Sequence, residues 1–332
     1  MIDLIKKLPK AELHLHIEGS LEPELMFRLA KKNKIDIPYN DIEDVRKAYD
    51  FSNLQTFLDI YYAGAKVLVT KDDFYDLTWE YILKCVEENI VHTEMFFDPQ
   101  THTERGVPFT AVITGIKEAL ADAKEKYGIT SCIIMCFLRH LSQEEAFATL
   151  EEAMPFKEDI IGVGLDSSEL GNPPSKFKKV FKKAKEAGFK LVAHAGEEAD
   201  YSYIYEALDL LNIDRIDHGV QSINSPELMT RLKNEQMPLT VCPNSNIELR
   251  VFDTYKDHNI KELLDYGLNI SVNSDDPAYF KGYVNQNFIN LCENLPITEE
   301  DVITLVKNSF KASFIDDELK DKYLAQVDLA LQ

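Results

Sequence analysis

The chain has 332 residues, 45% hydrophobic and 28% charged, the balance of a globular protein whose core needs no covalent staples. Its 57 acidic against 36 basic residues give a formal charge of −21, which repels polyanions and argues against nucleic acid or an anionic membrane as partner. The five cysteines form no C-x-x-C pair, the opening residues resemble no leader, and no run nears the roughly 20 apolar residues of a membrane span, so a cytoplasmic protein with free thiols is expected.

Eight short runs rich in β-branched residues alternate with longer amphipathic stretches. They are residues 12–18, 91–98, 131–138, 160–166, 190–194, 215–218, 238–242 and 269–274. Between the first two, residues 71–89 place Phe74, Leu77, Tyr81 and Val86 near helical spacing, and residues 176–187 do the same with Phe177, Val180, Phe181 and Ala184 before Gly188 stops the helix. Ser225-Pro226-Glu227 reads as an N-cap followed by proline at the first helical position, and Thr298 with Asp301 as a capping box. The alternation predicts a (β/α)8 TIM barrel, one domain over residues 1–332, with an open doubly wound sheet as the alternative. Residues 20–88 hold extra helix, expected as an insertion over the barrel mouth, and residues 298–330 are expected as closing helices. The aromatic stretch 51–62 suits either a lid or core packing.

Polar residues fall where these runs end. In a barrel, the C-terminal ends of the strands converge on one face, where an active site forms. His14 and His16 lie two apart on the first run and so share a face. A lone strand histidine is more often a hydrogen-bonded core residue, but two at this spacing favour a shared ion. His194 ends the fifth run in Ala193-His194-Ala195-Gly196-Glu197. By itself it reads as a structural imidazole, and with the other two as a third nitrogen ligand. Asp275 and Asp276 follow the eighth run, and barrel closure sets that run beside the first, within reach of the same ion. Asp-Pro is also a common turn. Three imidazoles and a carboxylate suit zinc better than magnesium or calcium, with iron and manganese left open. Glu197 and His218 would supply acid–base groups at the pocket, although a helix N-cap and a structural imidazole are their ordinary roles. There is no H-E-x-x-H, P-C-x-x-C or glycine-rich phosphate loop.

The ordered set H-x-H, H-A-G-E, D-H-G and S-D-D-P resembles the adenosine/adenine deaminase family of the amidohydrolase superfamily over nearly the whole chain, from residues 8–20 to residues 274–277. The resemblance implies that His14, His16, His194 and Asp275 bind one zinc ion per chain. It also implies that Glu197 gives a proton to purine N1, that His218 acts on the nucleophilic water, and that Asp276 bonds N7. The implied reaction replaces the 6-amino group by oxygen and releases ammonia. Segments 98–106, 164–169, 242–246 and 273–280 look like the adenine rather than the adenosine branch, which makes a free purine base the expected ligand. Two departures from the nucleoside pattern, Glu18 and Glu169, are expected to occupy ribose space, with Glu169 bonding the N3/N9 edge of the base. Adenosine or an N6-substituted aminopurine as substrate, and a non-catalytic purine sensor, are the alternatives. Oligomeric state is not readable.

Overall fold

Parallel strands arise where the β-branched runs fall, and a computed structural model describes all of residues 1–332. The strands are β1 (Lys10–His16), β2 (Ile90–Phe97), β3 (Thr130–Leu138), β4 (Gly162–Asp166), β5 (Lys190–Ala195), β6 (Arg215–His218), β7 (Pro238–Val241) and β8 (Asn269–Val272). Each neighbours the next in chain order, the arrangement of a (β/α)8 barrel rather than a doubly wound sheet. The ring closes between β8 and β1. Asp275 donates its N–H to His14 O at 3.0 Å and accepts from His16 N at 3.0 Å, while the Asn273 side chain accepts from Leu13 N at 2.8 Å.

Two strands, β1 and β8, end two residues earlier than the sequence suggests. β1 stops at His16, and Glu18–Ser20 form one tight turn. The cause is crowding: a Cβ on Gly19 would lie 1.9 Å from Asp276 Oδ1, so the chain must turn there without a side chain. β8 ends at Val272; beyond it Asn273 accepts from Leu13 N, and Ser274 donates through both its N–H and its hydroxyl to the Glu12 carboxylate of β1.

The helices bury the expected faces with one exception. In the helix Lys71–Glu88, Phe74, Leu77 and Tyr81 are buried, but the stripe continues through Cys85, and Val86 is 45% exposed. Val180, Phe181 and Ala184 are buried, and Gly188 ends that helix with φ +87. Ser225 accepts from Leu228 N, and Thr298 and Asp301 cap each other reciprocally. Three helices, Pro23–Asn33, Ile42–Ala48 and Leu54–Ala65, form the insertion. The helix Glu299–Ala312 packs on β8 and β1, anchored where Ser309 Oγ accepts from Ala11 N at 3.2 Å, and Asp317–Ala330 packs on it in turn. No helix is long and apolar enough to cross a membrane.

The end of the barrel away from the histidines is plugged by charge. Glu94 of β2 and Arg215 of β6 are wholly buried and paired. Glu94 also accepts from His92 Nε2 at 3.3 Å and from Phe314 N, and Arg215 Nη2 donates to Leu13 O at 2.9 Å. Burial opposes the Glu94 charge, yet Arg215 holds its carboxyl below the ordinary range. Removing one member of such a pair leaves an uncompensated buried charge. Glu94→Ala is therefore expected to lower unfolding stability by about 3–5 kcal/mol, read as a shift in denaturant midpoint. An unchanged midpoint would refute the plug.

Candidate active site

At the opposite end, the residues that terminate strands meet. His16, Asp98, Asp166, His194, His218 and Asp275 all line one small pocket, together with Glu197 and Asp276. The helix Leu54–Ala65 roofs it through Leu54, Phe57, Leu58 and Tyr61. Phe51 and Phe57 also pack against Phe280, so the stretch 51–62 is both lid and core.

Four donor atoms converge. His14 Nε2 lies 3.1 Å from Asp275 Oδ1, His16 Nε2 lies 3.4 Å from the same oxygen, and His16 Nε2 lies 3.2 Å from His194 Nε2. Ligands about 2.0–2.1 Å from a tetrahedral ion stand about 3.3–3.4 Å from one another. Thr240 donates to Asp217 Oδ1 at 2.9 Å, so it accepts from His14 Nδ1 at 2.9 Å, which fixes the ring with Nε2 turned toward the Asp275 carboxylate. Asp217 lies 3.7 Å from His194 Nδ1 and Asp166 lies 3.5 Å from His16 Nδ1, the outer carboxylates that orient ligating imidazoles. His218 falls within the same donor spacing as His14, His194 and Asp275. Its Nδ1 lies 3.5 Å from Asn246 Nδ2, and its Nε2 lies 3.6 Å from Glu197 Oε2 and 3.8 Å from Asp275 Oδ2, so it also faces the pocket acid.

The same burial drives the acids in opposite directions. Burial opposes charge on Asp275, but the surrounding imidazoles, His14 first, hold it well below the ordinary carboxylate range. Burial, reinforced by Asp275 and Glu169, raises Glu197 well above its usual value, and burial with Asp275 and Asp98 does the same to Asp276. Burial, reinforced by His14, lowers His218 to about 3, and His194 is also driven well below its ordinary value, so both rings are neutral. His218 and Asp275 adopt left-handed backbone, φ +65 and φ +64. Such conformations cost non-glycine residues of order 1–3 kcal/mol and cluster at functional sites.

The structure gives Glu169 and Glu18 different work from that expected. Glu169 is fully buried and turned away from the pocket. Its carboxylate accepts four backbone N–H bonds, from Gly196 at 2.7 Å, Glu197 at 3.1 Å, Glu198 at 2.8 Å and Ala199 at 3.0 Å. It shapes the loop that carries Glu197. Glu18 lies behind the wall, where Oε1 accepts from Asp98 N at 3.2 Å and His102 Nε2 at 2.8 Å. His102 Nδ1 in turn takes a bond from Arg105 at 2.9 Å. Burial and Arg105 lower His102 to about 3, so it is a neutral donor toward Glu18.

Sequence reasoning passed over Asp98, Tyr61 and Arg139. Asp98 obeys the same strand-end rule as the others but precedes a proline and reads as a turn. Arg139 donates to His194 O at 2.7 Å and Asn172 O at 2.9 Å. His140 sits at the rim, bonded to Ser167 Oγ at 2.8 Å. Glu169→Ala is expected to strand four backbone donors, cutting turnover of every accepted purine alike and leaving their ranking unchanged. Steady-state kinetics on adenine and adenosine checks this, and a changed ranking would restore Glu169 as a specificity residue.

The adenosine deaminase family profile matches residues 9–330. Adenine deaminase of Psychrobacter cryohalolentis is 84% identical over 331 residues, covering 100% of both chains. The crystal structure of adenine deaminase from Arthrobacter aurescens superposes with TM-score 0.96 at 47% identity, over 98% of this chain and 99% of that one. An amidohydrolase from Burkhoderia ambifaria, crystallised with bound zinc, has TM-score 0.91 at 26% identity, over 99% of this chain and 93% of that one. With the strand-end histidines and aspartates converging as they do, the chain belongs to the adenosine deaminase family, on its adenine deaminase branch.

Proposed function

We propose that this protein is an adenine aminohydrolase, converting adenine and water to hypoxanthine and ammonia in the cytoplasm, with residues 1–332 acting as one barrel domain. His14, His16, His194 and Asp275 would hold one zinc ion. When bound, the ion supplies a Lewis acid that makes a water nucleophilic near neutral pH. The observation that carries the reading is the close approach of these donors, 3.1 to 3.4 Å for His14–Asp275, His16–Asp275 and His16–His194, in the pocket that Glu197 lines.

The chain's own residues account for the rest. Purine N1 and N7 flank the reacting C6, and both are acceptors. A carboxyl group can serve an acceptor only while it holds a proton. Burial drives Glu197, Asp276 and Asp166 well above the ordinary carboxylate range; of these, Glu197 faces His218 and Asp276 follows Asp275, so Glu197 would protonate N1 and Asp276 would donate to N7. Proton delivery to N1 drains electrons from C6 and opens it to attack. His218, neutral and 3.6 Å from Glu197, would orient the attacking water. The roof helix excludes bulk solvent, which strengthens these bonds.

The pocket walls favour a neutral base. No lysine or arginine lines the pocket, so it offers nothing to a phosphate. The free thiols of Cys85, Cys132, Cys136, Cys242 and Cys292 support a reducing compartment.

An ammonia-release assay over a purine panel tests the whole reading. Adenine is expected to be turned over best, and a chelator to abolish activity until zinc is restored. Glu197→Gln is expected to lower kcat by about 100- to 10,000-fold with metal content unchanged. His194→Ala is expected to lose the metal itself, measured by elemental analysis. Full activity in Glu197→Gln, or a metal-free wild-type enzyme that still deaminates adenine, would overturn the mechanism.

A further inference from the structure

We propose that Asp98 is the residue that selects a free base, by accepting a hydrogen bond from the ring N–H at position 9. This inference rests on the aminohydrolase reading and adds to it what that reading leaves open: which group on the protein detects that no sugar is attached.

Once Glu197 and Asp276 engage N1 and N7, the N3/N9 edge of the purine faces away from the reacting carbon. A free base carries a hydrogen at N9, and a nucleoside carries a carbon there. The protein group that reads this difference must be a hydrogen-bond acceptor, must line the pocket, and must have an uncommitted lone pair.

Asp98 meets each condition. It follows β2, lines the pocket and is 3% exposed. Its Oδ2 accepts from Tyr61 OH at 3.2 Å, and its backbone N–H is held by Glu18 at 3.2 Å. Both anchors fix the carboxylate while Oδ1 is left without a partner. A buried carboxylate oxygen with no donor is costly, and a bound ligand that brings an N–H relieves it. Asp166 also has a free Oδ1 and stands with His16 and Asp98 in one group, but its other oxygen is 3.5 Å from His16 Nδ1, a pairing that Asp98 does not make. Glu18 has a free Oε2 but lies behind the wall. Asp276 is required at N7.

Glu18 and Tyr61 thereby gain a purpose. Glu18 supports Asp98 from behind by its backbone. Tyr61 belongs to the roof helix, so the Tyr61–Asp98 bond joins roof to floor across the place where a sugar would emerge. A site built to receive an N–H rejects an analogue lacking it far more strongly than a merely apolar site rejects a wrong size.

The test compares adenine with 9-methyladenine, which keeps N1, N3 and N7 and loses only the N9 hydrogen. The enzymes are wild type, Asp98→Ala and the isosteric Asp98→Asn, each checked for metal content. Inhibition constants replace kcat/KM wherever turnover is undetectable. Wild type is expected to favour adenine by about 100-fold or more. Asp98→Ala is expected to lose about 10- to 100-fold on adenine with no matching loss on 9-methyladenine, so the ratio collapses. Asp98→Asn, whose amide oxygen still accepts, is expected to keep more of the preference than Asp98→Ala. Parallel losses on both purines would assign Asp98 a structural role and overturn the proposal, as would an unchanged ratio. Wild type using both purines equally would sink this proposal alone, whereas wild type inert toward adenine would sink the aminohydrolase reading beneath it.

Discussion

The bridge between Asp275 and β1 is the constraint on which the rest depends. Its backbone N–H and C=O bond to His14 and His16, the step that closes the barrel. Its side chain then necessarily projects between the imidazoles of those same two residues. Barrel closure and assembly of the donor cluster are therefore a single event. The left-handed backbone at Asp275, φ +64, is what turns the carboxylate inward while the main chain stays in register. Gly19, pressed against Asp276, completes the seam.

Around that seam, one buried environment produces acids of opposite character. Asp275 stays charged because imidazoles surround it, and that charge then helps keep Glu197 and Asp276 protonated. The pattern is self-consistent: the acid nearest the cation site is the anion, and the two acids beside it become donors. Separating carboxyl pKa values by environment in this way is how one site holds both acid and base at neutral pH.

Much of this was legible in the sequence because barrels impose two strict rules. Side chains alternate along a strand, which paired His14 with His16, and strand ends converge, which gathered His194, His218 and Asp275 from distant segments. Where those rules stop, so did foresight. Glu169 lies in the loop after β4, and nothing in its spacing says whether its carboxylate faces ligand or backbone. A tally of unpaired N–H groups in Gly196–Ala199 could have found it only with the loop conformation known. Glu18 was misplaced because β1 ends two residues earlier than the apolar pattern suggests, and the turn carries the side chain behind the wall. Val86 and Cys85 differ by one helical position, which periodicity alone resolves poorly.

The placement of Glu169 has its physical origin in the seam between β4 and β5. Their ladder contains only Gly162 with Lys190 and Val163 with Leu191, which leaves the C-terminal ends of both strands without mutual ladder hydrogen bonds. Buried backbone groups must find other partners. Arg139 takes the carbonyl of His194, and Glu169 takes the four N–H groups that follow. Two opposite charges, one bonded to the end of β5 and one to the loop beyond it, thus replace the missing strand pairing. A neutral side chain at position 169 could not offer four charge-assisted bonds at once. The end of β5 and the fixed position of Glu197 therefore depend on the same two buried side chains, Arg139 and Glu169.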